Sequence, residues 1–427
     1  MSVTRLDTAF LDGGLRSTNY FNGRILSRED MQRDSDAHRA LHQRLGLALG
    51  DGIVRGFEVE AKSIGGSSIT NPVVTVRPGL AINRLGQTLA LDRGVDVALL
   101  EPRPASTGAS IPDAGGGPAV GGFEDCLPPD QNVYVTGAGV YLLSVAPAQA
   151  RQGLALVSGL GNEGASCNAK ELVEGLQFRL SQVKALSNAE LADAVRLRNV
   201  AAYKFFLAEG ADLAAIRDPL GAAAAPPDLT VQARSECEVP LALLSWTATG
   251  GLRWVDRWAV RRRVAPLPAP DAMATAAGPR LLALGEAMRL QFQDEARDLR
   301  LGTTAPQLLV ASGSFRYLPP AGVLPLFGQG ASTGFDRVTF FSDRPTRGPI
   351  VMEGAEVPAL LRTSLAYPPI DLTDHVVVWT YLVRENLQAQ SQGIQPAFLF
   401  ASGHVPPFGA ARADVARAGF ANTPIDF

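Results

Sequence analysis

The chain has 427 residues, of which 46% are hydrophobic and 19% charged, with a net charge of −3. These values exclude a wholly disordered chain, and they leave no concentrated basic surface of the kind that nucleic acid requires. The length exceeds what one hydrophobic core serves, so two or three domains are expected.

Glycine and proline number 43 and 30, about 17% of the chain together, against roughly 12% in ordinary usage, which marks many turns. Only Lys62, Lys170, Lys184 and Lys204 are lysines among 39 basic residues. Arginine suits planar interface contacts better than lysine does, although genomic base composition is the simpler source of the excess. Cys126, Cys167 and Cys237 are odd in number and far apart. They read as small apolar fillers or exposed thiols with no special role, in a chain that folds in a reducing compartment. Met1–Tyr20 has no basic patch followed by an apolar stretch, so no ordinary secretion signal is expected. Apolar runs such as Val376–Trp379 are too short to span a bilayer.

In chain order, Phe21-Asn22-Gly23 reads as a turn, and a helix follows with Ser27 as N-cap and Glu29 and Asp30 in its first turn. Leu41, Leu45, Ala48 and Leu49 give it an apolar stripe, and Gly50-Asp51-Gly52 ends it. Ile53–Glu60, Val73–Val76, Leu80–Asn83, Thr88–Leu91 and Val95–Leu100 predict short strands separated by tight turns. An antiparallel sheet with the first helix packed on one face is therefore expected. Residues 101–130 form a glycine- and proline-rich loop, Val133–Val145 is strand, and Gln149–Asn168 is ambiguous. From Ala169 to Glu209 the pattern reads as helical, with Leu172, Leu176, Leu180 and Val183 on one face and a second helix over Asn188–Glu209. Val239–Thr247 and Leu252–Val260 predict a hairpin around Gly250-Gly251. A further helix over Gly278–Leu301 buries Leu281, Leu284, Met288, Phe292 and Leu299 and bridges two domains. The expected fold is α+β: an N-terminal domain over 1–265 with antiparallel sheet and packed helices, a linker and bridging helix over 266–304, and a mixed, loop-rich domain over 305–427, its last residues, Phe408–Phe427, a loose tail.

Chemistry is sparsely marked. His38 and His42 are four apart on the first helix, a spacing that can bind one metal. Arg39 stands where a zinc-protease pattern has glutamate, so the pair reads better as lining a helix–sheet seam or facing a neighbouring subunit. Asp371 and Asp374 could imitate a glycosidase dyad, but Asp371 has the setting of a turn or cap residue. His375 is unmarked, and no nucleophile elbow or phosphate loop occurs. No catalytic residue, cofactor or metal ligand is expected. Trp246, Trp254 and Trp258 cluster on the second hairpin, Trp254 and Trp258 being placed on one strand face. With Arg253, Arg257 and Arg261 they offer candidate partner contacts; the competing and favoured reading packs that face on the 169–209 helices.

Four blocks, in order, carry a resemblance. They are Asn19–Gln32 with Gly52–Val59; Val74–Asn83; Val239–Leu244 with Val255-Asp256 and Arg261-Arg262; and Arg316–Gly322 with Leu365–Ile370 and Val383–Asn386. Together they resemble proteins of contractile injection systems, the phage-tail-like particles of bacteria. The resemblance implies a structural, homo-oligomeric role at the baseplate or tail end, without an active site. Its partners would be further copies of the chain and other particle proteins, assembled in the cytoplasm, with an extracellular location after lysis left open. Nucleic acid is not expected as a partner, and membrane contact is left open without support. A particle-exterior module recognising a cell envelope and a cell-wall hydrolase are the alternatives.

Overall fold

The computed structural model describes residues 14–69, 72–99, 137–156, 167–217, 235–266, 278–328 and 332–408. The expected loop at 101–130, Cys126 and the tail past residue 408 lie outside the described residues.

Helix α1 (Arg28–Leu49) starts at the capping box that the sequence predicts. The Asp30 N–H donates to Ser27 Oγ at 3.3 Å and the Ser27 N–H donates to Asp30 Oδ2 at 3.2 Å, which satisfies two of the unpaired donors at a helix start. The helix does not pack along a sheet. Of its residues only Asp30 and Gly46 are buried. Gly46 meets the backbone of Gly86 so closely that neither residue has room for a Cβ. Contact is thus made backbone to backbone at a glycine, and the leucine stripe points elsewhere, which is why the amphipathic pattern misled. His38 and His42 are accordingly exposed and line no seam. A Gly46→Val substitution is expected to cost roughly 1–3 kcal/mol by overpacking and to speed amide exchange across Gln43–Leu49; unchanged exchange there would refute this anchoring.

Strands β1 (Gly52–Gly56), β2 (Val59–Ala61), β3 (Val73–Val76), β4 (Gly79–Ile82), β5 (Thr88–Leu91) and β6 (Val95–Ala98) follow closely where the alternating segments lie. They form two antiparallel sheets, β1–β4–β5 and β2–β3–β6. Phe57, fully buried with φ 58°, makes the kink that sends the chain from one sheet to the other.

The largest departure comes next. Strands β7 (Gly139–Leu156) and β8 (Cys167–Gln182) form one long antiparallel hairpin. Ala169–Gln182 is therefore strand, where helix was expected. Leu172, Leu176 and Leu180 are four apart, a spacing that fits one face of a helix and, being even, one face of a strand equally well. Leu176, Phe178 and Leu180 pack on the sheet core, a period of two that settles the matter. Helices α2 (Asn188–Ala192) and α3 (Leu197–Arg217) take up the remainder of the expected helical segment. Strands β9 (Val239–Thr247) and β10 (Gly251–Asp256) complete a sheet of order β10–β9–β7–β8. Cys237, fully buried just before β9, is disulfide-bonded, which corrects its reading as an unlinked filler. Three distant cysteines carry no pairing signal in sequence; only the tertiary fold brings a partner to Cys237.

Helix α4 (Gly278–Gly302) forms over the span that its periodicity predicts. Its Leu284, Ala287 and Met288 join a core with Phe205 and Phe206 of α3, while Phe292 and Ala296 join a second core. That second core draws on α5 (Ala311–Ser314), β11 (Tyr317–Leu318), β12 (Ala321–Pro325), α6 (Arg337–Phe340), β14 (Ile370–Asp371), β15 (Val378–Val383) and β16 (Ala397–Ser402), while β13 (Thr346–Met352) and α7 (Val357–Ser364) pack with Tyr381 and Leu399 in a further cluster and α8 (Arg384–Ala389) follows β15. The main sheet runs β12–β16–β15–β13, antiparallel except for the parallel β13–β15 pair. Phe292, Phe315, Phe335, Phe340, Phe341, Phe398 and Phe400 fill its inner face in tilted and edge-on ring contacts, the arrangement that the ring quadrupole favours. The fold is α+β. Among the described residues no helix is long and apolar enough to cross a membrane.

Candidate functional site

Between the β10 end of the upstream sheet and α4 lies a cleft of about 540 Å³. Arg253, Trp254 and Arg257 line one wall, and Asp294, Glu295, Arg297 and Asp298 line the other. The exposed side chains of Ile64 and Val195 add apolar surface at its lip.

Three of the five predicted contact residues thus share one cleft. Trp254 is half-buried and packs on the core around Phe206 and Met288, so its body is structural and its edge is presented. Arg253 is exposed. Arg257 pairs with Asp294 at 3.2 Å and lies over the Trp258 ring, 5.4 Å from its centroid. The other two do different work. Trp258 does not share a strand face with Trp254, because β10 ends at Asp256 and the Asp256 carboxylate takes the N–H groups of Trp258 and Ala259 at 3.0 and 2.9 Å. A side chain that captures backbone donors two and three residues on turns the chain out of the sheet. The Trp258 indole N–H then donates to Asp294 at 2.7 Å. Arg261 donates to the Gly56 and Phe57 carbonyls at the β1–β2 kink, and burial lowers its pKa. Trp246 is core.

Beneath the cleft lies a buried polar cluster that composition and spacing did not reveal. Asp256, fully buried, accepts from Arg198 Nε at 2.9 Å and from Gln291 Nε2 at 3.1 Å. Glu295 Oε2 accepts from Gln291 Nε2 at 2.7 Å and from Asn199 Nδ2 at 3.2 Å. Asn199 Oδ1 in turn accepts the N–H groups of Arg316 and Tyr317, and the Tyr317 hydroxyl donates to Gln291 Oε1 at 2.8 Å. Residues of α3, β10, α4 and β11 are thereby tied together, which joins the two cores through hydrogen bonds as well as through α4. Burial pushes the Glu295 carboxyl up to about 7, against the opposing pull of the Arg198 charge and the hydrogen bond from Gln291. One signal for Glu295 was present in the sequence: it occupies the inward slot of α4 between Phe292 and Leu299, where an apolar residue would continue the stripe.

No family model matches the chain, and no curated protein matches it. The cleft has to be read from its own chemistry. Its walls carry both charge signs, and their acids and arginines are largely paired with each other: Arg297 holds Asp294 at 3.1 Å and Arg198 holds Asp298 at 2.8 Å. Such a surface suits a polar partner of mixed charge better than a strongly charged polymer.

The candidate dyad resolves differently. Burial alone would raise Asp371, but Arg316, Thr373 and Tyr203 all bond its carboxylate and hold it well below the usual carboxylate range. The Thr373 N–H donates to its Oδ1 at 2.7 Å, the turn role that its sequence setting suggested. A carboxylate held ionised by three partners anchors a turn and is a poor proton donor. Among the described residues no cluster of three His, Cys, Asp or Glu side chains could hold a metal ion.

Proposed function

We propose that the chain is a structural, oligomeric component of a contractile injection particle, at its baseplate or tail end. The observation that carries the reading is a division of labour in the structure. The buried Asp256 and Glu295, with Arg198, are committed to joining the two cores, while large apolar side chains stand exposed on the N-terminal arm, at Tyr20, Phe21, Ile25, Leu26, Met31, Leu41, Leu45 and Leu49. Scattered single apolar residues on a surface need no explanation, but a contiguous set marks an interaction surface. The family-like blocks fit a packing role as well. Asn19–Gln32 includes most of this arm, Arg262 is held by Glu209 at 2.8 Å, and Tyr317 stacks on Tyr203 with ring centroids 5.0 Å apart. The test is copurification from the native host: sheath and tube proteins should accompany the chain in sheared particles, and its absence from them would refute the proposal.

The alternative of a particle-exterior binding module draws support from the cleft, where Arg253 and Trp254 present exposed edges. For that reading, Arg253→Ala is expected to leave stability within about 0.5 kcal/mol, as a surface substitution does, while abolishing binding to envelope fractions. Retained binding would remove the cleft from consideration.

A further inference from the structure

Helix α1 has a largely apolar face that no contact among the described residues covers. Met31, Leu41, Leu45, Ala48 and Leu49 fall within an arc of about 100° at 100° per residue, interrupted midway by Asp34 and His38, and Leu45 and Leu49 are 57% and 59% exposed. Gly14–Arg16 run beside another face, in a groove lined by Gln32, Asp36 and Ala40. Gly46 is anchored on Gly86, and Arg39 reaches Glu174 at 3.3 Å. None of these contacts covers the stripe. A helix in water is held mainly by packing of its apolar face, so this one is built to receive something.

The distribution of charge says what. The first half, Arg28–Ala37, carries Glu29, Asp30, Asp34 and Asp36 against Arg28 and Arg33, a net −2. The second half, His38–Leu49, carries Arg39 and Arg44 and no acid, a net +2 with histidines neutral. A second α1 laid antiparallel sets acidic half against basic half at both ends and opposes the helix dipoles, whereas a parallel pair sets like against like. A two-fold axis produces that antiparallel match automatically, because each copy offers the same patch. We propose that α1 is the contact through which two copies of this chain associate, the helices lying antiparallel about an axis near His38. Tyr20, Phe21, Ile25 and Leu26, exposed just before the helix, extend the apolar surface toward the partner helix's C-terminal end. The proposal deepens the oligomeric part of the functional reading and does not require the particle.

Sedimentation velocity on the full chain tests it directly. The wild type should sediment as a dimer at micromolar concentration. Leu41→Glu with Leu45→Glu should weaken association about 100-fold or more while leaving circular dichroism and melting unchanged, since both positions are exposed. Orientation is read by mixing Met31→Cys and Leu45→Cys proteins with a short bis-maleimide, with the wild type as control for the native cysteines. Mixed 31–45 products should dominate, because those positions are equidistant from 38. A monomer at all concentrations, a dimer that survives the two glutamates, or dominant same-position products would overturn the proposal. A dimer missing from sheared particles would refute the particle reading alone, and a monomer found in them would refute this contact alone.

Discussion

Asp256→Ala is expected to lower stability by about 3–5 kcal/mol, because it leaves Arg198 as a buried charge without its main counter-ion. The loss has three parts. Arg198 keeps only its bond to Asp298, which is itself half-exposed. Gln291 loses one of its two acceptors. The N–H groups of Trp258 and Ala259 lose the carboxylate that turns the chain after β10. Chemical denaturation should show a lower midpoint, and it should also show whether the two cores begin to unfold separately, since the cluster spans both. Asp256→Asn keeps the shape and the turn but removes the charge, so it should fall between alanine and the wild type. A midpoint within experimental error of the wild type for Asp256→Ala would mean that the cluster contributes nothing to stability.

Glu295 makes stability depend on pH in a direction opposite to that of most paired carboxylates. Its native pKa is raised to about 7 by burial, so the folded chain keeps a proton that the unfolded chain has already released. The slope of unfolding free energy with pH follows protons bound in the unfolded state minus those bound in the native state. For this group that difference is negative, so its contribution is fully present below about pH 4.5 and is lost as pH rises to about 7. The loss amounts to roughly 3 kcal/mol at one pKa unit per 1.4 kcal/mol. Glu295→Gln resembles the protonated acid. It should match the wild type near pH 4 and exceed it above pH 7, and calorimetry of the two proteins across this range reads the difference directly. Parallel profiles would refute the assignment.

Local structure was legible where local chemistry is decisive. The Ser27 capping box, the tight turn at Gly86, the β9–β10 hairpin and the helical span of α4 all lie where cap, turn and periodicity signals put them. The long hairpin was not legible. Leucines spaced by four satisfy two periods at once, and only pairing with β7 decides between them. The candidate contact residues were half-legible. Arg253, Trp254 and Arg257 were found as an aromatic and basic cluster, but the turn at Asp256 carries Trp258 and Arg261 into other contacts. The buried cluster was nearly invisible, because Arg198, Asn199, Asp256, Gln291, Glu295 and Tyr317 are drawn from four separate segments.

By itself the sequence determined the class of the fold, the positions of its caps and tight turns, and the amphipathic face of α1, because each depends on residues within a few positions of one another. Tertiary structure decided which way that face points. Gly46 and Gly86 bring backbone against backbone, and the one position of the helix without a side chain is thereby the point that docks. The excess of glycine is part of the same account: at this junction it allows a close approach that turns four leucine-stripe positions outward.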